Sequence, residues 1–279
     1  VTQGLDFPTS YGKRRVVSDE QIRHADLQVS VFRQQLLFEA KLACIDYVYR
    51  TKLQRELAKR LQNANTLLEA ITKQTRQGES NILDLNKTKL LKLDIRNQAD
   101  LNETSLKTLQ HQLDALNGGI PLDLSQIEYP ALSDLPDFEI LDSLIEANDP
   151  DVKAIHQKKE VNKEQVELSR SMTLPKLEGG YHQQSILGQK YQGFHLGMTI
   201  PLWENKNKVK TERARLVHSE YQISEHRTEH YYRNKQLYDQ YLHWQNTSNE
   251  YQSVLTGTNN EELLNKAFQA GQLSLIEYL

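Results

Sequence analysis

The side chains that could do chemistry are few and scattered. His226 and His230 stand four residues apart, one helical turn, the spacing at which two imidazoles on one face can share a metal ion. No HExxH motif surrounds them and no third ligand is evident, so a surface pair is the reading these residues support. Cys44 is the only cysteine, which removes an intrachain disulfide framework and any CxxC zinc or redox pair. Set between Ala43 and Ile45, it reads as a small buried hydrophobe. The sequence offers no nucleophile elbow, no phosphate-binding glycine loop and no convergent acid–base set. An enzyme is not expected, nor a metal or cofactor.

Composition turns attention from chemistry to shape. The 279 residues carry 37 acidic and 34 basic side chains for a formal charge of -3, and neither sign gathers into a block, so nucleic acid is a poor partner. Only 38% of residues are hydrophobic and the mean hydropathy is -0.68. Such a chain, with long stretches almost free of Gly and Pro, suits extended exposed helices better than one deep core. No stretch approaches the ~18 to 20 apolar residues of a membrane-spanning helix. A membrane β-barrel stays open, because each strand needs only ~9 to 11 alternating residues. The chain opens without Met and stops partway through an amphipathic pattern at Ile276-Glu277-Tyr278-Leu279, so a fragment or processed product is expected.

Between Val17 and Gln77 there is neither Pro nor Gly, and Leu57, Leu61, Ala64, Leu68 and Ile71 step by 4, 3, 4 and 3, a coiled-coil seam. Gly78 interrupts it. A second helix is expected over 80–116, with Leu106, Leu109, Leu113 and Leu116 on one face, closed by Asn117-Gly118-Gly119-Ile120-Pro121. Residues 117–150 read as an irregular insert with one short helix, and Asn148-Asp149-Pro150 caps a further helix over 151–173. The two shorter helices together nearly match the first in length and could lie end to end beside it. Residues 174–203 read as a β-hairpin with strands over 176–186 and 192–202, because Phe194, Leu196, Met198 and Ile200 alternate with His195, Gly197 and Thr199. From 204 another long helix should run toward residue 270.

Sliding the chain against itself by 193 residues sets Leu5-Asp6-Phe7-Pro8 on Met198-Thr199-Ile200-Pro201, and Lys13 and Val16 on Lys206 and Val209. Seventy residues after each proline stands a glycine, Gly78 and Gly271, and Ile82-Leu83-Asp84 falls on Leu275-Ile276-Glu277. Landmarks at both ends agree without a gap, so the chain is a duplication of strand, proline, long helix, glycine turn and returning helix. Long polar helices with narrow apolar seams are explained by a ring, where each helix touches neighbours on two flanks only. The strands cannot close a barrel alone, and open edges are not tolerated in lipid, so several copies would be needed.

The motifs Leu174-Pro175-Lys176-Leu177, Gly193 through Ile200-Pro201-Leu202-Trp203, Gly271 with Ser274, Glu277 and Leu279, and Gln3-Gly4-Leu5-Asp6-Phe7-Pro8 resemble the TolC family of outer-membrane efflux proteins. The cation and heavy-metal efflux type is the nearest in flavour. The resemblance covers essentially the whole chain. It implies a mainly α fold of long antiparallel helical hairpins, the wall of an α-barrel, plus strands of a shared trimeric outer-membrane β-barrel. It further implies a homotrimer, a passive exit duct for small molecules or metal ions, seated in outer-membrane lipid of a Gram-negative bacterium and extending into the periplasm. A periplasmic adaptor and an inner-membrane pump would be its partners.

In that scheme residues 1–16 end a strand and leave the membrane, 17–116 form the first hairpin, and 117–150 belong to the equatorial belt. Pro8 and Pro201 mark the strand-to-helix exits, and 204–279 hold the second long helix with its tip. Gly78, Glu79, Gly271 and Gln272 would sit at the adaptor-docking tips, although Gln77-Gly78-Glu79 and Ala270-Gly271-Gln272-Leu273 depart from the family's Val-Gly-Leu-like tip. Asp84 and Glu277, six residues past each tip glycine, would take part in closing the entrance; the plain alternative is a solvated helix face. His182 and His195 would line the barrel lumen, and Trp203 and Tyr191 would join an interfacial aromatic girdle rather than merely packing at a strand end. The competing reading is a periplasmic adaptor or other coiled-coil interaction protein. An adaptor should carry flanking β-rich segments and should not repeat both the strand exit and the glycine turn.

Overall fold

The computed structural model describes residues 1–131, 134–257, 263–264, 266–267, 270 and 272–273. Eight elements follow one another: β1 (Thr2–Leu5), α1 (Pro8–Arg76), α2 (Ile82–Leu116), α3 (Phe138–Asn148), α4 (Pro150–Ser171), β2 (Lys176–Ile186), β3 (Gln189–Thr199) and α5 (Lys206–Gly257). Two units arise, one of Val1–Gln34 with Leu135–Tyr241 and one of Gln35–Asp134 with Leu242–Leu279. No helix among the described residues is long and apolar enough to cross a membrane.

In the first unit α1 begins at Pro8, well upstream of the residue 17 expected from the Gly- and Pro-free run. Pro8 occupies the first helical position, where its missing N–H would have no partner anyway and its ring pre-sets φ. The helix then runs through Gly12, where a Cβ would meet nothing, at the ~1 kcal/mol that Gly costs a helix interior. Residues 1–16 are therefore mostly helix rather than strand end. Helix α4 starts as its cap predicts: Asp149 accepts from the Asp151 N–H at 2.9 Å, and Pro150 follows it. Its buried Ala154, Val161, Val166 and Leu168 supply the packing. Lys13–Glu164 (3.1 Å) joins it to α1 and Lys159–Glu220 (3.2 Å) to α5, half-exposed pairs worth at most ~1 kcal/mol each. Helix α3 is held on α5 by the buried Phe138, whose ring meets Tyr231 edge-on at 5.3 Å and Tyr238 at 5.6 Å. Helix α5 opens at Lys206, two residues after the expected 204, because the buried Asn205 spends its amide N–H on the Met172 carbonyl and ties the strand exit to the end of α4.

The three strands form one antiparallel sheet in the order β1-β2-β3, with Leu5 opposite Leu177 and Leu177 opposite Met198. The connection between β2 and β3 is two residues, not the five expected. Leu187 and Gly188 both hold positive φ, 51° and 83°, the geometry whose twist matches the flanking strands. Leucine is an unusual occupant of that position, so only Gly188 signals the turn, and strand β3 starts three residues earlier than its alternation suggests.

In the second unit the later part of α1 packs on α2. Leu57, Ala64 and Ile71 of the expected seam are buried and Leu61 and Leu68 half-buried, with Leu67 and Ile71 meeting Leu85 of the returning helix. One polar residue enters this seam. Asn102 is 2% exposed and donates to the Arg50 carbonyl (3.0 Å) and the Gln54 side-chain oxygen (2.7 Å), a buried polar contact that fixes the register of α2 on α1. The end of α2 is closed by N–H bonds from Gly118 to Ala115 and from Gly119 to Asp114, with Gly118 at φ 72°.

Candidate functional site

The α1–α2 turn is built by backbone hydrogen bonds. The Gly78 N–H donates to the Thr75 carbonyl (3.2 Å) and the Glu79 N–H to the Gln74 carbonyl (2.9 Å), the paired bonds of a Schellman motif, with Gly78 at φ 77°. Lys73 and Arg76 in the last turn face the negative end of the α1 dipole. Helix α2 starts two residues past the expected 80. Asn81 is its N-cap, and its side chain accepts from the Asp84 N–H at 2.9 Å. Asp84 is thereby fixed as the third residue of the helix, half-buried, where a carboxylate meets the positive end of the dipole. It forms no ion pair with Arg76 among the described contacts. Asn81 was missed from the sequence, although Asn three residues before Asp is a capping signal.

Two backbone bonds of the first glycine turn recur 193 residues on. Gln77 N–H to Lys73 carbonyl (3.1 Å) and Glu79 to Gln74 reappear as Ala270 to Lys266 (2.9 Å) and Gln272 to Ala267 (2.9 Å). Gly271 and Glu277 lie outside the described residues, as do Ser274 and Leu279. Among the site residues expected there, Gln272 alone is described. Pro8 and Pro201 differ in setting: Pro8 starts α1 directly, whereas Pro201 precedes α5 by a short bend.

The sheet has two unlike faces. Leu5, Leu177, Tyr181, Phe194, Leu196 and Met198 share one by the pairing register, and they are exposed, Phe194 to 88% and Leu196 to 92%. Thr2, Glu178, His182, His195 and Thr199 share the other. Here large polar side chains lie across glycines: His195 faces Gly180 and Glu178 faces Gly197, and a Cβ at either glycine would collide with its partner's side chain. Thr2 Oγ1 stands 3.3 Å from His195 Nε2. Tyr191 pairs with Gln184 on this polar face, opposite the face that carries Phe194, and Trp203 is exposed beyond the strand end. The role of Glu178 was not visible before the register was known.

His226 and His230 are not a free surface pair. Their rings stack at 5.4 Å, both residues are half-buried, and His230 lies 3.2 Å from Asp149. No group of three or more metal-ligating side chains occurs among the described residues. Cys44 is half-buried beside the buried Ala43.

No family model and no curated protein matches this sequence. Solved structures do resemble it. The outer membrane protein VceC from Vibrio cholerae is similar with a TM-score of 0.77 at 15% identity, over 99% of this chain and 70% of that one. The Campylobacter jejuni outer membrane channel CmeC gives 0.70 at 16% identity, over 99% and 62%. A membrane protein from Pseudomonas aeruginosa gives 0.68 at 16% identity, over 100% and 68%. The chain thus spans between 62% and 70% of the length of these three relatives in fold. With its long helices, its small antiparallel sheet and its duplicated turn, this chain has the fold of the TolC-like outer-membrane channels.

Proposed function

We propose that the chain forms part of an outer-membrane exit duct for the passive export of small molecules or metal ions. In this reading three copies bring their strands together into one barrel in the outer-membrane lipid of a Gram-negative cell, and their helices build a conduit through the periplasm. The turns at Gly78, Glu79, Gly271 and Gln272 dock a periplasmic adaptor that connects to an inner-membrane pump, and Asp84 with Glu277 narrows the entrance.

The observation that carries this reading is the two-faced sheet. An apolar face of Leu177, Phe194, Leu196 and Met198, unpartnered in a single chain, suits lipid, and a polar face of Glu178, His182 and His195 suits a water-filled lumen. Open strand edges are not stable in hydrocarbon, so the sheet must be completed by other copies. Exposed apolar side chains on the helices, such as Val29 and Phe32 of α1, await neighbours in the same way. An adaptor gains nothing from such a sheet.

The test is reconstitution of the full-length protein into planar bilayers with native mass spectrometry of the detergent-solubilised form. Discrete conductance steps and a trimer mass are expected. A monomer that leaves bilayers silent would end the reading.

A further inference from the structure

The polar face of the sheet carries a pattern beyond its polarity. Gly4, Gly180, Gly193 and Gly197 all lie on it, and Gly179 alone of the strand glycines lies on the other. Across the strands these glycines stand beside the long polar side chains: Gly4, Glu178 and Gly197 form one row, Thr2, Gly180 and His195 the next, and His182 with Gly193 a third. Each of Glu178, His182 and His195 thus has bare neighbouring backbone beside it, over which a side chain can lie.

Glu178 uses that space. A Cβ on Gly197 would stand 2.7 Å from the Glu178 Cγ and 3.0 Å from its Cδ, and would meet Oε1 as well, so the side chain lies across β3 instead of standing off the sheet. Gly197 is half-buried beneath it, while Leu196 and Met198 on either side are exposed. The carboxylate has no hydrogen bond or ion pair among the described residues, and Lys176, two residues back on the same face, is spent on Glu204 at 3.6 Å. An unpaired charge is therefore kept against the wall by room alone. Gly4 on the other side offers equal room, since a Cβ there would meet nothing within 4 Å. Neither glycine holds a positive φ, so both strands would accept alanine in their backbone. His195 lies over Gly180 in the same manner, but a Cβ there would also meet the Val1 backbone oxygen, and that site cannot be filled without moving β1.

Resting on the exit-duct reading, in which the polar faces of several copies line one lumen, we propose that Gly4 and Gly197 are specificity-determining positions of the duct: they let Glu178 lie along the wall, so that passing solute meets a smooth surface and not a ring of projecting carboxylates. A ring of carboxylates aimed into a pore selects for cations. Its pull falls with distance and is screened within ~10 Å at 0.1 M salt, so where the side chain lies decides how strongly each copy's charge is felt. With Glu178 laid down, the barrel passes neutral and anionic small molecules as well as cations, and the bore stays clear of its side chain.

The test is the double variant Gly4→Ala, Gly197→Ala of the full-length protein in planar bilayers, under a KCl gradient around 0.1 M where screening is weak. Filling both glycines leaves the Glu178 side chain only the lumen. The cation-to-anion permeability ratio, read from the reversal potential, should rise roughly twofold over the wild type, and the rise should vanish when Glu178→Gln is added to both forms. An unchanged ratio in a conducting double variant overturns the proposal, and so does an equal rise in the Glu178→Gln background. A wild type that leaves bilayers silent ends the exit-duct reading and the lumen with it, which tells the two failures apart. Should the double variant not assemble, adding Glu178→Ala decides: recovery of the assembly supports the collision with that side chain, and continued failure overturns it.

Discussion

At the scale of single residues, Asp84 has a structural reason to be acidic before any functional one is invoked. Its place as third residue of α2, behind the Asn81 cap, already explains a carboxylate there, because the helix dipole favours it by ~0.3 to 1 kcal/mol. Asp84→Ala should lower chain stability by about that amount in urea denaturation. If the residue also narrows an entrance, the Asp84→Ala, Glu277→Ala double variant of the full-length assembly should show higher single-channel conductance and weaker cation preference. Unchanged conductance would leave only the dipole role. His24 gives a second prediction. Burial lowers its imidazole below the ordinary 6.5, Lys158 adds to the effect, and a bond with the Ala154 backbone opposes it. The folded chain then binds this proton less tightly than the unfolded one, so stability rises with pH in the window just below 6.5 and falls as acid is added. Tm measured from about pH 7.5 to about pH 5.5 should decline, and His24→Asn should flatten part of that slope. Neither partner of His24 could be read from the sequence, since Ala154 and Lys158 are brought to it only by the packing of α4.

At the scale of elements, the helices were legible and the turns less so, for a physical reason. Apolar spacing of 3 and 4 names a seam, and Leu57, Ala64 and Ile71 are buried in it. The glycine break at Gly78 is equally plain, because only Gly takes the positive φ of that turn cheaply. Gly78→Ala should therefore cost ~1 to 2 kcal/mol, visible as a lowered denaturation midpoint, and Gly78→Asn clearly less. Helix α1 starts upstream of the Gly- and Pro-free run because Pro8 suits the first helical position and an open site at Gly12 lets the helix pass. The two-residue hairpin turn has little local signature because Leu187 occupies a positive-φ position that residue preference assigns elsewhere. Pairing of β1 with β2 joins residues far apart in the chain and has no local signature at all. That pairing makes its own prediction. A Cβ at Gly180 would collide with the His195 ring and with the Val1 backbone oxygen, so Gly180→Ala should displace β1 and expose residues 2–5 to hydrogen exchange while leaving the α1–α2 turn protected.

At the scale of the whole molecule, duplication is what made the sequence readable. A repeat doubles each weak landmark, and two backbone hydrogen bonds of the first glycine turn recur at a spacing of 193 residues. What the repeat could not supply was which residues of the three strands lie opposite one another; alternation had already separated Phe194, Leu196 and Met198 from His195, and the register adds Leu5, Leu177 and Tyr181 to the apolar face. With the register known, the two faces can be set against each other. A charge at Leu196, on the apolar face, should cost ~2 to 4 kcal/mol near the middle of a bilayer, whereas the same charge at His195, one residue away on the polar face, should cost little. Leu196→Lys and His195→Lys in the full-length protein are therefore expected to differ sharply in the fraction recovered as folded trimer from lipid vesicles, although both are exposed in the single chain and should leave its helices equally stable. Equal recovery of the two variants would mean that neither face meets lipid, and the sheet would then need a protein partner to cover Phe194 and Leu196 instead.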